Sequence, residues 1–550
     1  MTRASILPVP HLSASRDSAL PDDLQPEALR RRYERARSQR GIWESLWQDC
    51  YDYALPARRP GSTGSIGSRP GQQGGERLFD ATAADAAEQL AGSLLSQLTP
   101  PWSRWFGFQP GRDMPPEQQG AMAAELDKAA QVLQAQFDRS NFSVEIHQAF
   151  LDLVVAGSAC LTCEEAPLGE PSAFRFAAVP LNDLVLEEGV GGRLDTVFRR
   201  QELSLELLAR RHPALEQHAW FTERRKREPD ARLGLLECVV PAPLPLQGYA
   251  YAALLEDAAP DDAASLLAQG RFDQAPFIAF RWLKAPGETY GRSPVMKALP
   301  DIKTANKVVE LVLKNASIAV TGIWQADDDG VLNPANVKLV PGAIIPKAVG
   351  SSGLTPLAAP GRFDISQLVL DDLRGRIRHA LLADRLGQVD APRMTATEVL
   401  ERSAEMARQL GATFGRLQAE LLVPLLHRAV AILQRRGEIP HFALDGREVA
   451  LVLQSPLARL QAQGDVQSTL NWLQQLQMLG PQAMQAVDAM AVARWLGRTL
   501  GVPGEFLLEA GEQPQGQPGI DQAAGVADAG LQQMLQQLLQ NSAIQQGASV

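Results

Sequence analysis

The chain has 550 residues, of which 45% are apolar, 21% charged and 6% aromatic, an ordinary globular composition that excludes wholesale disorder and a fibrous repeat. Its 53 Lys and Arg against 63 Asp and Glu give a formal charge of -10. A protein that grips nucleic acid tightly normally shows the opposite balance, because its affinity comes from neutralising phosphates. The composition therefore argues against a protein that binds nucleic acid tightly, but not against one through which nucleic acid slides.

Targeting and redox signals are absent from the sequence. Four cysteines cannot make a disulfide framework in so long a chain, so reduced thiols are expected. The N-terminus lacks the apolar core of a signal peptide. The most apolar stretch, residues 421–433, is interrupted by Pro424 and Arg428 and is shorter than the roughly 20 residues of a spanning helix. We therefore expect a soluble protein that contacts no membrane and is not exported by the usual route.

The first half of the chain is predicted to be α+β. Residues 1–27 are polar and resemble a mobile arm. Apolar residues at helical spacing predict helices over residues 26–53, 80–98, 117–137, 143–156 and 203–212. Short alternating runs predict strands over residues 174–179, 183–187, 194–200, 233–240, 249–255 and 276–282.

Two features of this half have competing interpretations. Six arginines between Arg30 and Arg40 could contact phosphate, but a solvated helix face paired with the helix's own glutamates is the more common case. The aromatic cluster from Trp102 to Phe108 most often anchors a core or a subunit contact, since large rings bury the most area.

The second half is predicted to be mainly helical. Helices over 294–316 and 366–386 bracket a section with short strands, 317–365, and could pair antiparallel. A polar loop, 387–394, precedes a helix over 395–436 that would be about 60 Å long and kinked at Pro424. Residues 448–510 are predicted to be helical. The last 40 residues end in an apolar stripe that favours either self-association or a frayed tail.

No catalytic chemistry is predicted. The chain contains no Gly-Lys pair, and therefore no Walker A loop, and it has neither HExxH nor GxSxG. Cys160 and Cys163 have metal-like spacing, but no second such pair supplies the remaining ligands. We predict no catalytic residue, no metal and no cofactor.

Two cationic stripes stand out in the second half. Lys303, Lys307 and Lys314 lie within about 40° of one another on a helix. Arg374, Arg378 and Arg385 repeat that spacing on the next predicted helix. Such stripes could face a phosphate-bearing polymer, or they could form a solvated or inter-subunit salt-bridged face.

The order of these elements resembles the portal, or head-to-tail connector, proteins of short-tailed, podovirus-type phages. The segments that carry the resemblance are RYERARSQRGIWESLWQDCYDYALPAR, LFDATAADAAEQLAGSLLSQLTPPWSRWF, GETYGRSPVMKALPDIKTANK, APRMTATEVLERSAEM and, more weakly, VARWLGRTLGVPGEFL. They are spread over about residues 30 to 510, and their joint order makes chance similarity improbable.

The resemblance implies a portal architecture with named parts. These are an arm (1–27), a wing (28–293), a stem helix (294–316), a clip (317–365), a second stem helix (366–386), a tunnel loop with a long kinked helix (387–436), a helical crown (437–510) and a Gln-rich tail or barrel helix (511–550). The tunnel-loop residues that would face DNA are Gln388, Asp390, Arg393, Met394 and Thr395, with Arg393 the loop's only cation.

The resemblance also implies a function and partners. The family forms a ring, usually of twelve copies, at one capsid vertex of the virion, after assembly in the host cytoplasm. Double-stranded DNA passes through the ring, driven by a separate terminase. A tail adaptor binds the clip, and capsid and scaffolding proteins surround the ring. The alternative is another virion structural protein, such as a scaffold or tail component.

Overall fold

The computed structural model describes residues 24–56, 78–101, 103–114, 116–242, 248–256, 265–321, 324–326, 354–356, 363–383, 411–454, 456–478 and 487–500. Within these ranges the protein is α+β and mainly helical, as predicted. The helices are α1 (Pro26–Ala54), α2 (Thr82–Leu98), α3 (Pro116–Arg139), α4 (Phe142–Ala156), α5 (Leu205–Arg211), α6 (Ala219–Arg227), α7 (Pro294–Thr321), α8 (Phe363–Ala380), α9 (Gly411–Leu417), α10 (Val423–Arg435), α11 (Pro456–Met478) and α12 (Ala489–Leu500).

Twelve strands in the described residues form four antiparallel sheets. The strands are β1 (Phe106–Pro110), β2 (Ser158–Glu165), β3 (Phe174–Ala178), β4 (Leu184–Glu188), β5 (Leu194–Ser204), β6 (Arg232–Pro241), β7 (Tyr249–Leu255), β8 (Leu266–Phe272), β9 (Phe277–Arg281), β10 (Trp324–Ala326), β11 (Leu354–Pro356) and β12 (Val449–Leu453). The strand orders are β4-β5-β6-β7-β8, β3-β2-β9, β1-β12 and β10-β11.

The five-stranded sheet is covered on both faces, which explains why β6 is apolar almost throughout. Helix α1 packs Leu29 and Tyr33 against Phe198 and Leu236 on one face. Helices α5 and α6 cover the other face, where residues such as Phe221 complete a second apolar cluster. Because neither face meets water, the strand shows a continuous apolar run instead of alternation.

The main core lies between α2, α4 and the three-stranded sheet, and it extends to α7 and α10. Helix α4 ends at Gly157, whose φ of 78° lies in the left-handed region. A side chain here would also meet the carbonyl of Gly291, since an added Cβ would lie 2.3 Å from that oxygen. Glycine at this position therefore allows the segment that leads into α7 to pass directly over the end of α4.

Three of the six arginines on α1 bind inside the protein. Arg30 donates to the backbone oxygen of Leu255 at 2.6 Å, Arg32 donates to Thr196 at 3.0 Å, and Arg40 donates to the backbone oxygen of Asn182 at 2.9 Å. Arg31 instead pairs with Glu27 at the surface. Arg30 and Arg32 therefore join α1 to the five-stranded sheet, and Arg40 joins it to the turn before β4, which neither sequence interpretation anticipated.

The aromatic cluster contains a strand, and the prediction that residues 448–510 are helical is wrong at its start. Residues 106–110 pair antiparallel with the strand Val449–Leu453. Trp105 and Phe106 are buried there and pack against Phe137. The predicted core anchor is therefore confirmed, but its partner strand lies about 340 residues away in the chain and carried too little local signal.

The predicted irregularity near Pro424 is confirmed in position and takes the form of a π-helical turn, Gln418–Leu422, between α9 and α10. Proline has no N–H to donate to the carbonyl four residues earlier, so the regular pattern is interrupted just before it.

Helix α8 ends at Ala380, earlier than the predicted 386, and Leu382 follows with a φ of 59°.

Candidate functional site

The central feature is the antiparallel pair formed by α7 and α8. Arg376 near the end of α8 pairs with Asp301 near the start of α7 at 2.9 Å, so the two helices run in opposite directions. At the other end, β10 and β11 pair antiparallel and tie the two chain segments together. The predicted antiparallel pairing is confirmed.

A buried polar junction fixes this helix pair to the start of α2. The side-chain oxygen of Asn306 on α7 accepts hydrogen bonds from the backbone N–H groups of Phe79 (2.6 Å) and Asp80 (3.1 Å). Asp80 accepts from the Thr82 N–H at 3.0 Å and from Arg374 on α8 at 2.8 Å. One loop therefore holds both helices, and the carboxylate of Asp80 is its centre.

The environment of Asp80 keeps this carboxyl ionised. Burial by itself would raise its pKa, but hydrogen bonds from Thr82 and Arg374, together with the Arg374 charge, lower the pKa below its ordinary value. The Asp80 side chain is only 3% exposed, whereas that of Arg374 is 35% exposed. The ion pair therefore has one buried and one partly hydrated partner.

Most described members of the cationic stripes are paired within the subunit. Lys303 bonds Asp49 on α1 at 2.7 Å. Lys307 and Lys314 both bond Glu310, at 2.9 and 2.5 Å, and these bonds, that from Lys314 foremost, lower the Glu310 pKa to about 2. Arg378 is exposed beside α2, where it lines a small polar cavity with Asp85. The stripes are therefore largely compensated in charge.

The remaining predicted site residues lie outside the described part of the chain. They are Arg385 of the second stripe and the tunnel-loop residues Gln388, Asp390, Arg393, Met394 and Thr395. The described part of the predicted long helix begins at Gly411.

The long helix is fixed to the body by a fully buried arginine. Arg281 at the end of β9 is 0% exposed and bonds Glu420 in the π-helical turn through its backbone N–H (3.0 Å), Nε (3.2 Å) and Nη2 (2.7 Å). Its remaining N–H groups donate to the backbone oxygens of Thr289 and Gly192. The π-helical turn therefore presents Glu420 to a guanidinium that four hydrogen bonds hold in place.

Sequence reasoning missed Asp80, Asn306, Arg281 and Glu420. Asp80 carried a usable signal, because Asp two residues before Thr82 at a helix start is typical of a side-chain turn that binds the helix's first free N–H groups. Arg281 and Glu420 carried none, since they are 139 residues apart.

The four thiols are packing groups. All four cysteines are buried and free, and burial raises the pKa of Cys160 and of Cys163 to about 12. In the described ranges no cluster of three or more His, Cys, Asp or Glu could hold a metal. The described helices also include no segment long and apolar enough to cross a membrane.

These buried thiols should resist alkylation in the folded protein. At pH 8 we expect no iodoacetamide labelling of Cys160 or Cys163 over an hour, because the thiolate is scarce and the sulfur is inaccessible. Full labelling is expected in denaturant. Intact-mass spectrometry after timed quenching measures both, and rapid native labelling at either position would contradict the expectation.

Comparison with known proteins identifies the family of this chain. The family model for the bacteriophage head to tail connecting protein matches residues 26–507. This chain belongs to that family of phage connectors.

The connector is similar to curated portal proteins along most of its length. It is 23% identical to the probable portal protein of Bordetella phage BPP-1, over 88% of this chain and 89% of the relative. It is 22% identical to the portal protein of Salmonella phage epsilon15, over 93% and 95% of the two chains. With the portal protein of Escherichia phage T7 it shares 21% identity over 76% of each chain.

Family membership answers several sequence-based predictions. The resemblance to podovirus-type connectors is confirmed, and with it the function as a phage portal protein at the capsid vertex of the virion. The connector is a structural component and no enzyme, as predicted.

Proposed function

We propose that the connector works as a closed ring of about a dozen copies at one capsid vertex, with double-stranded DNA packaged and later ejected through its central channel. The observation that carries this proposal is the family match over residues 26–507. A heterologous contact that closes after a fixed number of copies generates such a ring. A separate terminase would drive the DNA, since the sequence contains no Walker A loop.

The order of the described elements supports an assignment of each to one part of the portal architecture. The body that carries the five-stranded sheet would be the wing, α7 and α8 the stem, and the segment between them, around β10 and β11, the clip that binds terminase and later a tail adaptor. The wing would face capsid and scaffolding proteins. The described helices after β12 would belong to the crown, and residues 511–550 to a tail or barrel.

The charge distribution supports passage of DNA in preference to tight binding. Lys303 and Arg374 are neutralised by Asp49 and Asp80, and Glu310 lies between Lys307 and Lys314. Few free cations then remain on the described stem to hold phosphates, and a channel that bound phosphates strongly would stall the polymer. The tunnel loop, with Arg393 its only cation and Asp390 nearby, would contact DNA weakly at the narrowest point.

The test is the mass and shape of the purified protein. Native mass spectrometry is expected to give a single closed oligomer of about a dozen copies, and negative-stain images are expected to show a central hole wide enough for duplex DNA. The measurement should be repeated from low to high salt and over a range of protein concentrations. Only monomers, or compact oligomers without a hole, under all of these conditions would contradict the ring.

A further inference from the structure

The stem hairpin exposes apolar side chains that the described part of its own chain does not cover. On α7 every described side chain from Lys307 to Ser317 is at least partly exposed, including Leu311 at 49%. On α8, Leu368 is 74% exposed. Leu313 (53%) and Val369 (44%) are exposed as well, so both helices carry neighbouring exposed apolar side chains, which is typical of a surface that another protein covers.

The charges beside the two leucines differ in net sign, because two lysines share Glu310 on α7 whereas two aspartates lie on α8. The α7 face consists of Lys307, Leu311 and Lys314, which lie within about 60° of one another on the helix. The α8 face consists of Leu368, Asp371 and Asp372, on the side opposite the buried residues Leu370, Leu373 and Ile377. Among the described residues neither aspartate of the α8 face has an ion-pair partner, and both are exposed.

The two faces also lie at the same height along the stem. The Asp301–Arg376 pair gives a common reference level. Leu311 lies ten residues beyond it on α7 and Leu368 eight residues before it on α8, or about 15 and 12 Å along the helices. Lys307 and Asp371 are six and five residues away, which is about 9 and 8 Å. A neighbouring copy displaced perpendicular to the helix axes would therefore place Leu311 near Leu368 and Lys307 near Asp371.

We propose that the α7 face of one copy packs on the α8 face of the next copy in the ring, which rests on the ring proposed above. The occupant is a second copy because each chain carries both faces and the two leucines lie at similar heights. The net positive charge of Lys307, Glu310 and Lys314 is also opposite in sign to the two aspartates. Such a contact is heterologous and leaves neither face unused when the ring closes. The sequence left two roles open for Lys307 and Lys314, contact with a phosphate polymer or an ion pair between subunits. The proposed contact gives them the ion pair between subunits.

Charge reversal on one face at a time tests the contact between copies. Variant A carries Lys307→Glu and Lys314→Glu, and variant B carries Asp371→Lys and Asp372→Lys. Each alone places like charges opposite each other at the level of Lys307 and Asp371 in every contact, so we expect the ring fraction at low salt to fall at least about tenfold. High salt should restore part of it. Co-expressed A and B should form rings again, with the two variants alternating.

Rescue by mixing is the decisive outcome, because a contact within one chain cannot be repaired by a different chain. The matched control carries Lys226→Glu and Arg227→Glu at the exposed end of α6, and it should form rings like the unmodified connector. If A and B each form rings as well as the control, or if both are folded by circular dichroism and their mixture stays unassembled, the proposed contact is wrong. Failure of the unmodified connector to form any ring would instead contradict the proposed function.

A cross-linking experiment covers the case in which the charge variants fail to fold. Connector with Leu311→Cys is co-expressed with connector carrying Leu368→Cys, and the rings are oxidised. The native cysteines are buried, so a disulfide between the two variants gives a dimer on a denaturing gel. Each variant alone should give none. Absence of the dimer from intact mixed rings would overturn the proposal.

Discussion

Glu420→Gln is expected to lower the local free energy of opening around β9 and the π-helical turn by about 3–5 kcal/mol, because it leaves the Arg281 guanidinium buried without its main counter-charge. Arg281 is 0% exposed, so its charge has no contact with water in the folded protein. Glu188 lies 3.7 Å from the guanidinium but already pairs with Lys284, and it cannot replace the bonds to Glu420.

Hydrogen exchange measured by mass spectrometry is the appropriate readout, since it reports local opening in the assembled connector. Protection of peptides covering 277–281 and 418–435 should fall by a factor of about 10² to 4 × 10³, which corresponds to the free energy above at 1.4 kcal/mol per tenfold.

The matched control is Arg416→Gln. Arg416 also bonds Glu420, at 3.1 Å, but its side chain is 30% exposed. A partly hydrated pair one helical turn apart contributes at most about 1 kcal/mol. Equal losses of protection in the two variants would show that burial of Arg281 is not what makes this contact strong.

The helices and hairpins were predictable because their signals are local. Helix α1, predicted over 26–53, spans Pro26–Ala54, and β7 has the bounds that alternation predicted. The glycines between Gly189 and Gly192 are likewise a local turn signal, and β4 and β5 pair across them. In each case a few consecutive residues determine the periodicity or the turn.

The contacts that hold the α7–α8 pair and the π-helical turn are non-local, and no periodicity in the sequence indicates them. Strand β2 was missed because its fully buried residues do not alternate, and Cys160 and Cys163 within it suggested metal spacing instead. Asp80 reaches Arg374 across 294 residues. The family's overall order of elements could therefore be predicted, whereas the polar junctions that position those elements required the folded chain.

Asp80→Asn is expected to loosen the stem from the body. The substitution keeps the size of the side chain but removes the charge that Arg374 binds, and a hydrogen bond to a charged group contributes about 1.5–3 kcal/mol. The loss should be smaller than for Glu420→Gln because Arg374 is partly hydrated and can turn to water. Hydrogen exchange in α7 and α8 near Asn306 and Arg374 should rise, while the five-stranded sheet stays protected.

The matched control for this junction is Asp301→Asn. Asp301 pairs with Arg376 on the same two helices, but the arginine side chain is 58% exposed, so its loss should cost less than about 1 kcal/mol. Exchange in α7 and α8 that rises as much in the control would show that the buried carboxylate has no special part in holding the stem.

The same carboxylate makes the stem junction sensitive to acid. The pKa of Asp80 is lower in the folded protein than in the unfolded chain, so the folded state binds fewer protons as pH falls toward the unfolded value near 3.9. Its contribution is therefore fully present above about pH 5 and disappears as pH falls through the folded pKa. Melting temperatures of the unmodified connector and of Asp80→Asn should differ most above about pH 5 and converge as the pH falls below the unfolded value toward the folded pKa of Asp80. A difference that stays constant across this range would mean that the ionised carboxylate is not what Arg374 holds.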